Sequence, residues 1–327
     1  MIAHLFRYAF LSVLAVLVLT QCSTNQSRSE KNGRSGQLRR LGYEAVPLQK
    51  IRGDVRYSGV FKVNGLPLRF LIDSGANSTD VDASLARQAR LMEDRSVKIV
   101  TRGALGREIS SGRGYGTLQI GRMYAENFPF TIAPSREKRT STSSYAGQVG
   151  LDALSAIGAM MDTPGQQLWV PGGSRGIVNG RLNIGPQKGL GNKVMGLETA
   201  GRLPHLILRG TLQGRPVTWV VDSGAEISVM TAESFDRFNL PSQTTNSRMI
   251  DASGDRIALR RAQLRNVSFG KLKVTVFDIA IAPLGMVRQY FRDARGRPVD
   301  GILGMDFLSS SYALLDTGSR LIYLGRP

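Results

Sequence analysis

The residues best placed to do chemistry lie in two short turns. Leu71-Ile72-Asp73-Ser74-Gly75-Ala76 is an apolar run that ends in an acid, a hydroxyl and a glycine. Val220-Val221-Asp222-Ser223-Gly224-Ala225 offers the same parts 149 positions later, from 73 to 222. In each case a strand-like segment delivers a carboxyl straight into a turn whose glycine allows the backbone to bend and approach a partner closely. The carboxyl therefore sits at the mouth of an apolar element, next to low-dielectric surroundings. Ser74 and Ser223 can each donate or accept a hydrogen bond and so fix their turns. If the two turns meet about a pseudo-twofold axis, Asp73 and Asp222 cannot both ionise readily, and the pair holds one proton between them. Such a pair is acid and base at once. The ionised member takes a proton from a shared water while the protonated member polarises a carbonyl. That chemistry can open an amide without a metal, a cofactor or a covalent intermediate.

Composition narrows the alternatives. The 327 residues include one Cys and two His, one of them at position 4. This excludes a disulfide framework within the chain and a Cys/His zinc cluster, and leaves a Ser-His-Asp site short of parts. A hydrophobic content of 42% suffices for buried cores and is too high for a disordered chain. The 37 glycines favour turns and strands over a helical bundle. Lys and Arg number 43 against 25 Asp and Glu, a net charge of +18. No basic stripe interleaved with aromatics and no helix-turn-helix pattern accompanies that charge, so nucleic acid is not an expected partner. Anionic envelope polymers or lipid surfaces suit it better.

The elements that must position the two turns form a duplicated unit. Residues 64–76 recur without a gap as residues 213–225. Gly147-Gln148-Val149-Gly150-Leu151-Asp152-Ala153-Leu154 recurs as Gly301-Ile302-Leu303-Gly304-Met305-Asp306-Phe307-Leu308, shifted by 154 positions from 150 to 304. Met161-Asp162-Thr163 with Leu168-Trp169-Val170 is answered by Leu315-Asp316-Thr317 with Ile322-Tyr323-Leu324. Three ordered similarities at near-constant spacing imply one ancestral lobe copied once. Apolar runs 59–63 and 66–72 flank Asn64-Gly65, a strong two-residue hairpin signal, and 206–212 and 216–221 flank Gln213-Gly214. Short helices are expected over 81–89 and 231–238, Gly-punctuated strands over 98–120 and 248–269, and further strands over 128–133 and 274–281. Trp169 and Trp219 fall in strand-like runs and read as core. The expected fold class is mainly β: two homologous β-barrel-like lobes with a cleft between them.

These features resemble the aspartic peptidases. The apolar-apolar-Asp-Ser-Gly-Ala turns and the Gly301-Ile302-Leu303-Gly304 segment are similar to the retropepsin branch, and duplication within one chain is similar to the pepsin-type two-lobed arrangement. The resemblance spans about residues 55–325. It implies that Asp73 and Asp222 are catalytic, and that Ser74, Gly75, Ser223 and Gly224 support them, the serines gripping the opposite lobe's backbone. It places Asn77 and Glu226 where the substrate main chain is contacted. It also implies a β-hairpin flap over the cleft, with candidate tips at 101–106 and 251–256, so that Gly103, Ala104, Ser253 and Gly254 would touch substrate. The partner would be a protein or peptide, no cofactor or metal is needed, and one chain would complete the active site. The alternative is a non-catalytic protein holding peptides or anionic polymers in the same cleft. Gln148 departs from the pattern, which has an apolar residue there, and Asn77 differs from Glu226, so the two halves of the cleft are not equivalent.

The N-terminus reads as an address. Residues 9–19 form an eleven-residue run in which only Ser12 is polar. That is shorter than the roughly 20 residues of a membrane span and suits a signal segment. Leu19-Thr20-Gln21-Cys22 resembles a bacterial lipoprotein signal, which implies a lipid on Cys22, a membrane anchor and a periplasm-facing place in the cell envelope. The expected organisation is a signal peptide at 1–21, a flexible tether at 22–41, an N-terminal lobe at 42–170, a Gly-rich linker at 171–203 and a C-terminal lobe at 204–327. Two motifs are set aside. Asp316-Thr317-Gly318-Ser319 aligns with Asp162-Thr163-Pro164-Gly165 in the repeat and reads as a terminal hairpin turn. Gly172-Gly173-Ser174-Arg175-Gly176 lacks a following helix and reads as linker. His205 is expected at the surface beside a strand.

Overall fold

The computed structural model describes residues 33–50, 53–134, 145–172, 185–191, 193–199, 205–251 and 253–325. The expected signal, Cys22, most of the tether and residues 173–184 of the linker lie outside these. The two expected lobes are present, and each is an eight-stranded sheet with the same strand order. In the N-terminal lobe the order is Gln49–Lys50, Tyr57–Val63, Leu66–Ile72, Gly147–Val149, Asp80–Asp82, Met123–Ala133, Glu108–Ile120 and Met92–Arg102. In the C-terminal lobe it is Glu198–Thr199, Leu206–Leu212, Arg215–Val221, Gly301–Leu303, Val229–Thr231, Leu272–Ala282, Arg256–Phe269 and Gln243–Ile250. Each sheet curls back on itself, by pairing Val63 with Leu118 in one lobe and Leu212 with Val267 in the other.

Local sequence accounts for the repeated hairpin. Asn64 and Gly65 have φ of 48° and 84°, and Gln213 and Gly214 have 51° and 77°. Two successive left-handed residues make the tight turn whose twist matches its flanking strands. Alternating burial on Tyr57–Val63 sends Phe61 and Val63 inward beside Phe70 and Ile72. The helices after the two acid turns are shorter than expected, Ala83–Gln88 and Ala232–Asp236. Asp82 caps the first by accepting from Ser84 N–H at 2.8 Å, and Thr231 caps the second by accepting from Ser234 N–H at 3.2 Å.

A third sheet joins the lobes. Its six strands run Tyr43–Pro47, Gln167–Pro171, Met160–Asp162, Leu314–Asp316, Leu321–Leu324 and Lys193–Gly196. The lobes meet where Met160 pairs with Asp316 and Asp162 with Leu314. The repeat makes this junction reciprocal. Thr163 Oγ1 donates to the Leu308 and Ala313 carbonyls at 3.0 and 2.9 Å, while Thr317 Oγ1 donates to the Leu154 and Ala159 carbonyls, both at 2.8 Å. Asp316-Thr317-Gly318-Ser319 is thus a buried hairpin turn in the joining sheet, with Ser319 N–H donating to Asp316 Oδ1 at 2.8 Å. Trp169 and Trp219 are both fully buried, as expected.

Three expectations need correction. The tether does not run to residue 41, because Arg34–Arg40 is a helix. Leu38 is fully buried with Tyr43, Met160, Trp169, Leu190, Leu314 and Tyr323. Arg34, also buried, pairs with Asp162 at 2.7 Å and donates to the Leu190, Tyr312 and Gly325 carbonyls at 2.7, 3.0 and 3.3 Å. A polar composition concealed this helix because, Tyr43 apart, those partners lie far along the chain. The linker is likewise not free of structure: Lys193–Gly196 pairs with Leu321–Leu324, and Glu198–Thr199 pairs with Leu206–Ile207. Strands this short leave no periodic signature. His205 is buried rather than at the surface, with the Phe291 ring tilted against it 4.2 Å away, and burial pushes its pKa down to about 4.

Removing one partner of a buried ion pair strands the other, at a cost of roughly 3–5 kcal/mol. Arg34→Met is therefore expected to lower the unfolding free energy by about 3 kcal/mol, read from the urea midpoint. A loss below about 1 kcal/mol would show the helix to be dispensable.

Candidate active site

Each acid turn is built in the same way. Strand Leu66–Ile72 ends at Asp73, whose N–H donates to the Val149 carbonyl at 3.1 Å, and strand Arg215–Val221 ends at Asp222, whose N–H donates to the Leu303 carbonyl at 3.0 Å. The inner oxygen of each carboxyl is held by its own turn. Asp73 Oδ1 accepts from Gly75 and Ala76 N–H at 2.8 and 3.0 Å, and Asp222 Oδ1 accepts from Gly224 and Ala225 N–H at 2.8 and 3.1 Å. These bonds leave each outer oxygen turned away from its own backbone.

The serines cross between lobes. Ser74 N–H donates to Ser223 Oγ at 3.0 Å and Ser223 N–H donates to Ser74 Oγ at 2.9 Å. Ser74 Oγ then donates to the Val221 carbonyl and Ser223 Oγ to the Ile72 carbonyl, both at 2.9 Å. Both serines are fully buried, so this four-bond knot forms in a place where water cannot compete. The glycines set the separation. A Cβ on Gly75 would overlap the Asp222 carboxyl, and a Cβ on Gly224 would overlap that of Asp73. Only bare backbone lets the carboxyls face each other across the lobe boundary, and they share a hydrogen bond.

That geometry fixes the charge state. Burial raises the proton affinity of Asp73 well above that of an ordinary carboxyl, and the negative charges of Asp222 and Asp80 raise it further. Burial also raises Asp222, but its two turn N–H groups, the bond from Asp73 and the positive charge of Arg56 hold it lower. Asp80 beside Asp73 and Arg56 beside Asp222 both favour the shared proton on Asp73 and the charge on Asp222. Arg56 is tied in place by Asp54 and donates to the Gly224 carbonyl at 3.1 Å, reaching across the lobe boundary.

Behind the turns lies a second layer that sequence reasoning left unassigned. Asp152 accepts from Thr79 N–H and Oγ1 at 2.9 and 2.7 Å, and Asp306 accepts from Ser228 N–H and Oγ at the same two distances. Thr79 and Ser228 accept in turn from Gly150 and Gly304 N–H, at 3.2 and 3.0 Å. The signal was present, since Asp152 and Asp306 recur at matching places in the repeat. Arg56 had no such signal, because its counterpart in the other lobe is His205.

The remaining expected residues divide. Asn77 lies half-buried beside the first turn, with its Oδ1 buried and unbonded, whereas Glu226 is exposed. Both candidate flaps are long hairpins, Met92–Arg102 with Glu108–Ile120 and Gln243–Ile250 with Arg256–Phe269. Their tips touch. Leu105 N–H donates to Asp251 Oδ2 at 2.9 Å, Arg107 pairs with Asp255 at 3.4 Å, and the Asp251 side chain fills the space a Cβ on Gly103 would need. Ala104 and Leu105 pack against an apolar cluster of the C-terminal lobe that Ala225 and Ile227, just past Asp222, also touch. Ser253 N–H donates to Asp251 Oδ1 at 2.9 Å, and Gly254 takes a φ of 87° to close the second tip. Among the described residues no group of three or more His, Cys, Asp or Glu is arranged to hold a metal.

A half-buried pair of facing carboxyls with one proton can activate water on one side and protonate oxygen on the other. Comparison with known proteins bears on the family and the fold. The sequence profile of the family described as Aspartyl protease matches twice, over residues 60–152 and 208–307, one match in each lobe. No curated protein sequence matches the chain. Among solved structures, the aspartic proteinase from Irpex lacteus is similar in fold, with a TM-score of 0.50 at 13% identity over 87% of this chain and 97% of that one. With its two profile matches together spanning more than half of its length, the chain belongs to the aspartyl protease family.

Proposed function

We propose that this chain is an endopeptidase in which Asp73 and Asp222 activate one water between them. Asp222, ionised, takes a proton from the water as its oxygen attacks the peptide carbonyl carbon, and Asp73 gives its proton to the carbonyl oxygen. The tetrahedral intermediate then collapses. Asp222 passes its new proton to the leaving nitrogen, the C–N bond breaks, and a hydroxyl of the intermediate returns a proton to Asp73. The carboxyls end as they began. The observation that carries this function is the reciprocal serine knot, which holds the two carboxyls face to face with both inner oxygens already occupied. The substrate would lie extended beneath the flap hairpins, with its main chain near Asn77 and Glu226 and near Gly103, Ala104, Ser253 and Gly254 at the tips. Both acids belong to one chain, so a single copy carries the whole site.

The same proposal places the enzyme in a bacterial cell envelope. The apolar run at 9–19 and the position of Cys22 directly after it support export and a lipid anchor. Among the described residues no helix is long and apolar enough to cross a membrane.

Asp73→Asn and Asp222→Asn are each expected to lower kcat/KM by about 10³-fold or more while the cooperative unfolding transition is kept. Peptide turnover at the native rate by either variant would remove the pair from the chemistry. The pH profile of kcat/KM should be bell-shaped, falling on the alkaline side as Asp73 loses its proton and on the acid side as Asp222 gains one.

Stability should respond with a defined sign. Below the ordinary carboxyl value of 3.8, Asp73 is protonated whether the chain is folded or not. Above it the unfolded chain releases that proton while the folded chain retains it, so stability falls with rising pH until the raised value is passed. Asn carries no charge to bury. Asp73→Asn should therefore melt at a higher temperature than the native protein at pH 7, with the gap closing towards pH 3.8. Equal melting temperatures across that range would show that Asp73 ionises normally in the fold.

A further inference from the structure

The two lobes share a fold but not a chemistry on the sheet face that leads away from the acid turns. In the N-terminal lobe one row of paired residues crosses the strands: Ser58 beside Leu71, Leu71 beside Gln148, Gln148 beside Asp80, and Asp80 beside Thr131. The matching row in the C-terminal lobe is Ile207, Val220, Ile302, Val229 and Ala280, in the same register. Directly paired residues project to one face of a sheet. One row is therefore polar at four of its five positions and the other is apolar at all five. On the flap strand both rows reach an arginine, Arg113 beside Thr131 and Arg261 beside Ala280; two residues nearer the tip on the same face the contrast returns, with Ser111 in one lobe and Leu259 in the other.

Both rows lead to the acid turns. In the C-terminal lobe they join Ala225 and Ile227 in one apolar cluster, and the flap tip lays Ala104 and Leu105 on it. In the N-terminal lobe Ser78, at the place of Ile227, meets Thr131 through their hydroxyls at 3.3 Å. Two polar atoms on this side, Ser111 Oγ and Asn77 Oδ1, are buried without a hydrogen-bond partner, and Ser111 is only 6% exposed. A buried polar atom left unbonded is costly and favours any ligand group able to satisfy it. The apolar face, on which Leu284, Val287 and Val299 also pack, ends at the flap tip, and there it favours a side chain that can take the tip's place.

We propose that the cleft is chemically two-sided. The subsite bounded by Ser78, Asp80, Ser111 and Gln148 takes a polar, hydrogen-bonding side chain of the peptide, and the subsite bounded by Ile227, Val229, Leu259 and Ile302 takes an aliphatic or aromatic one. The substrate class is then a peptide whose cleaved bond is flanked by a polar residue on one side and an apolar residue on the other. This deepens the endopeptidase function proposed above and rests on it. Discrimination has an expected scale. One methylene in an apolar pocket changes kcat/KM by about 10–200-fold, and a site built to hydrogen-bond rejects an apolar isostere more strongly still.

The test is digestion of a peptide library, varied at the positions flanking each bond, by the native full-length chain and two variants. The native chain should cut between one polar and one apolar side chain, in a fixed order along the peptide. Ile302→Gln should lower kcat/KM by about 10–100-fold for peptides with a large apolar side chain on the C-terminal-lobe side. Gln148→Ile installs the residue that the other lobe already tolerates at this place, and it should make apolar residues acceptable on both sides. Cleavage by the native chain with the same preference on both sides, or an unchanged profile in Gln148→Ile, overturns the subsite assignment while leaving the peptidase intact. Absence of any cleavage by the native chain takes down the peptidase function and the assignment with it.

Discussion

Two carboxyls in one poorly solvated place cannot both be charged, and the rest of this structure exists to hold them there. The serine knot is the device. Ser74 and Ser223 each accept from the other's backbone and donate across the lobe boundary, all four bonds being 2.9 or 3.0 Å long. Their own requirement is bare backbone at Gly75 and Gly224, since a methyl on either would collide with the facing carboxyl. The outcome is a single shared proton, not two independent acids.

Duplication provides that geometry twofold, and divergence then makes it unequal. The joining sheet is close to symmetric, with Thr163 and Thr317 each reaching into the opposite lobe. Symmetry ends at the positions around the dyad. Arg56 supplies positive charge beside Asp222, whereas its counterpart His205 is buried, packed on Phe291 and held neutral. Asp80 supplies negative charge beside Asp73, whereas its counterpart is Val229. Both differences push the proton the same way, onto Asp73. The flap tips have diverged too: Arg107 on one pairs with Asp255 on the other, whose Asp251 accepts from the Leu105 N–H. On the proposed function, unequal lobes give a single chain two carboxyls of unequal proton affinity and two dissimilar walls.

Much of this was legible before folding. The acid turns stood out because a strand, a turn and their chemistry are local and were written twice. Asn64-Gly65 announced its hairpin through backbone preference alone. The false lead at Asp316-Thr317-Gly318 could be rejected because its repeat partner holds Pro164. What escaped depended on distance. Leu38 and Arg34 form a helix only because Trp169, Tyr323 and Asp162 wait more than a hundred residues away. His205 seemed a surface residue because Phe291, which covers it, belongs to a distant loop. The contrast between Gln148 with Asp80 and Ile302 with Val229 becomes meaningful only once register places them side by side on one face.

The shared proton can be observed directly by following the carbon-13 signals of labelled aspartate carboxyls through a pH titration. Comparison with Asp73→Asn and Asp222→Asn identifies the two resonances of interest. One is predicted to stay protonated well above the ordinary value of 3.8, while the other, also raised, releases its proton at a lower pH than its partner. Two carboxyls that lose their protons together near 3.8 would mean that the lobes do not bring them into one site, and the account would fail.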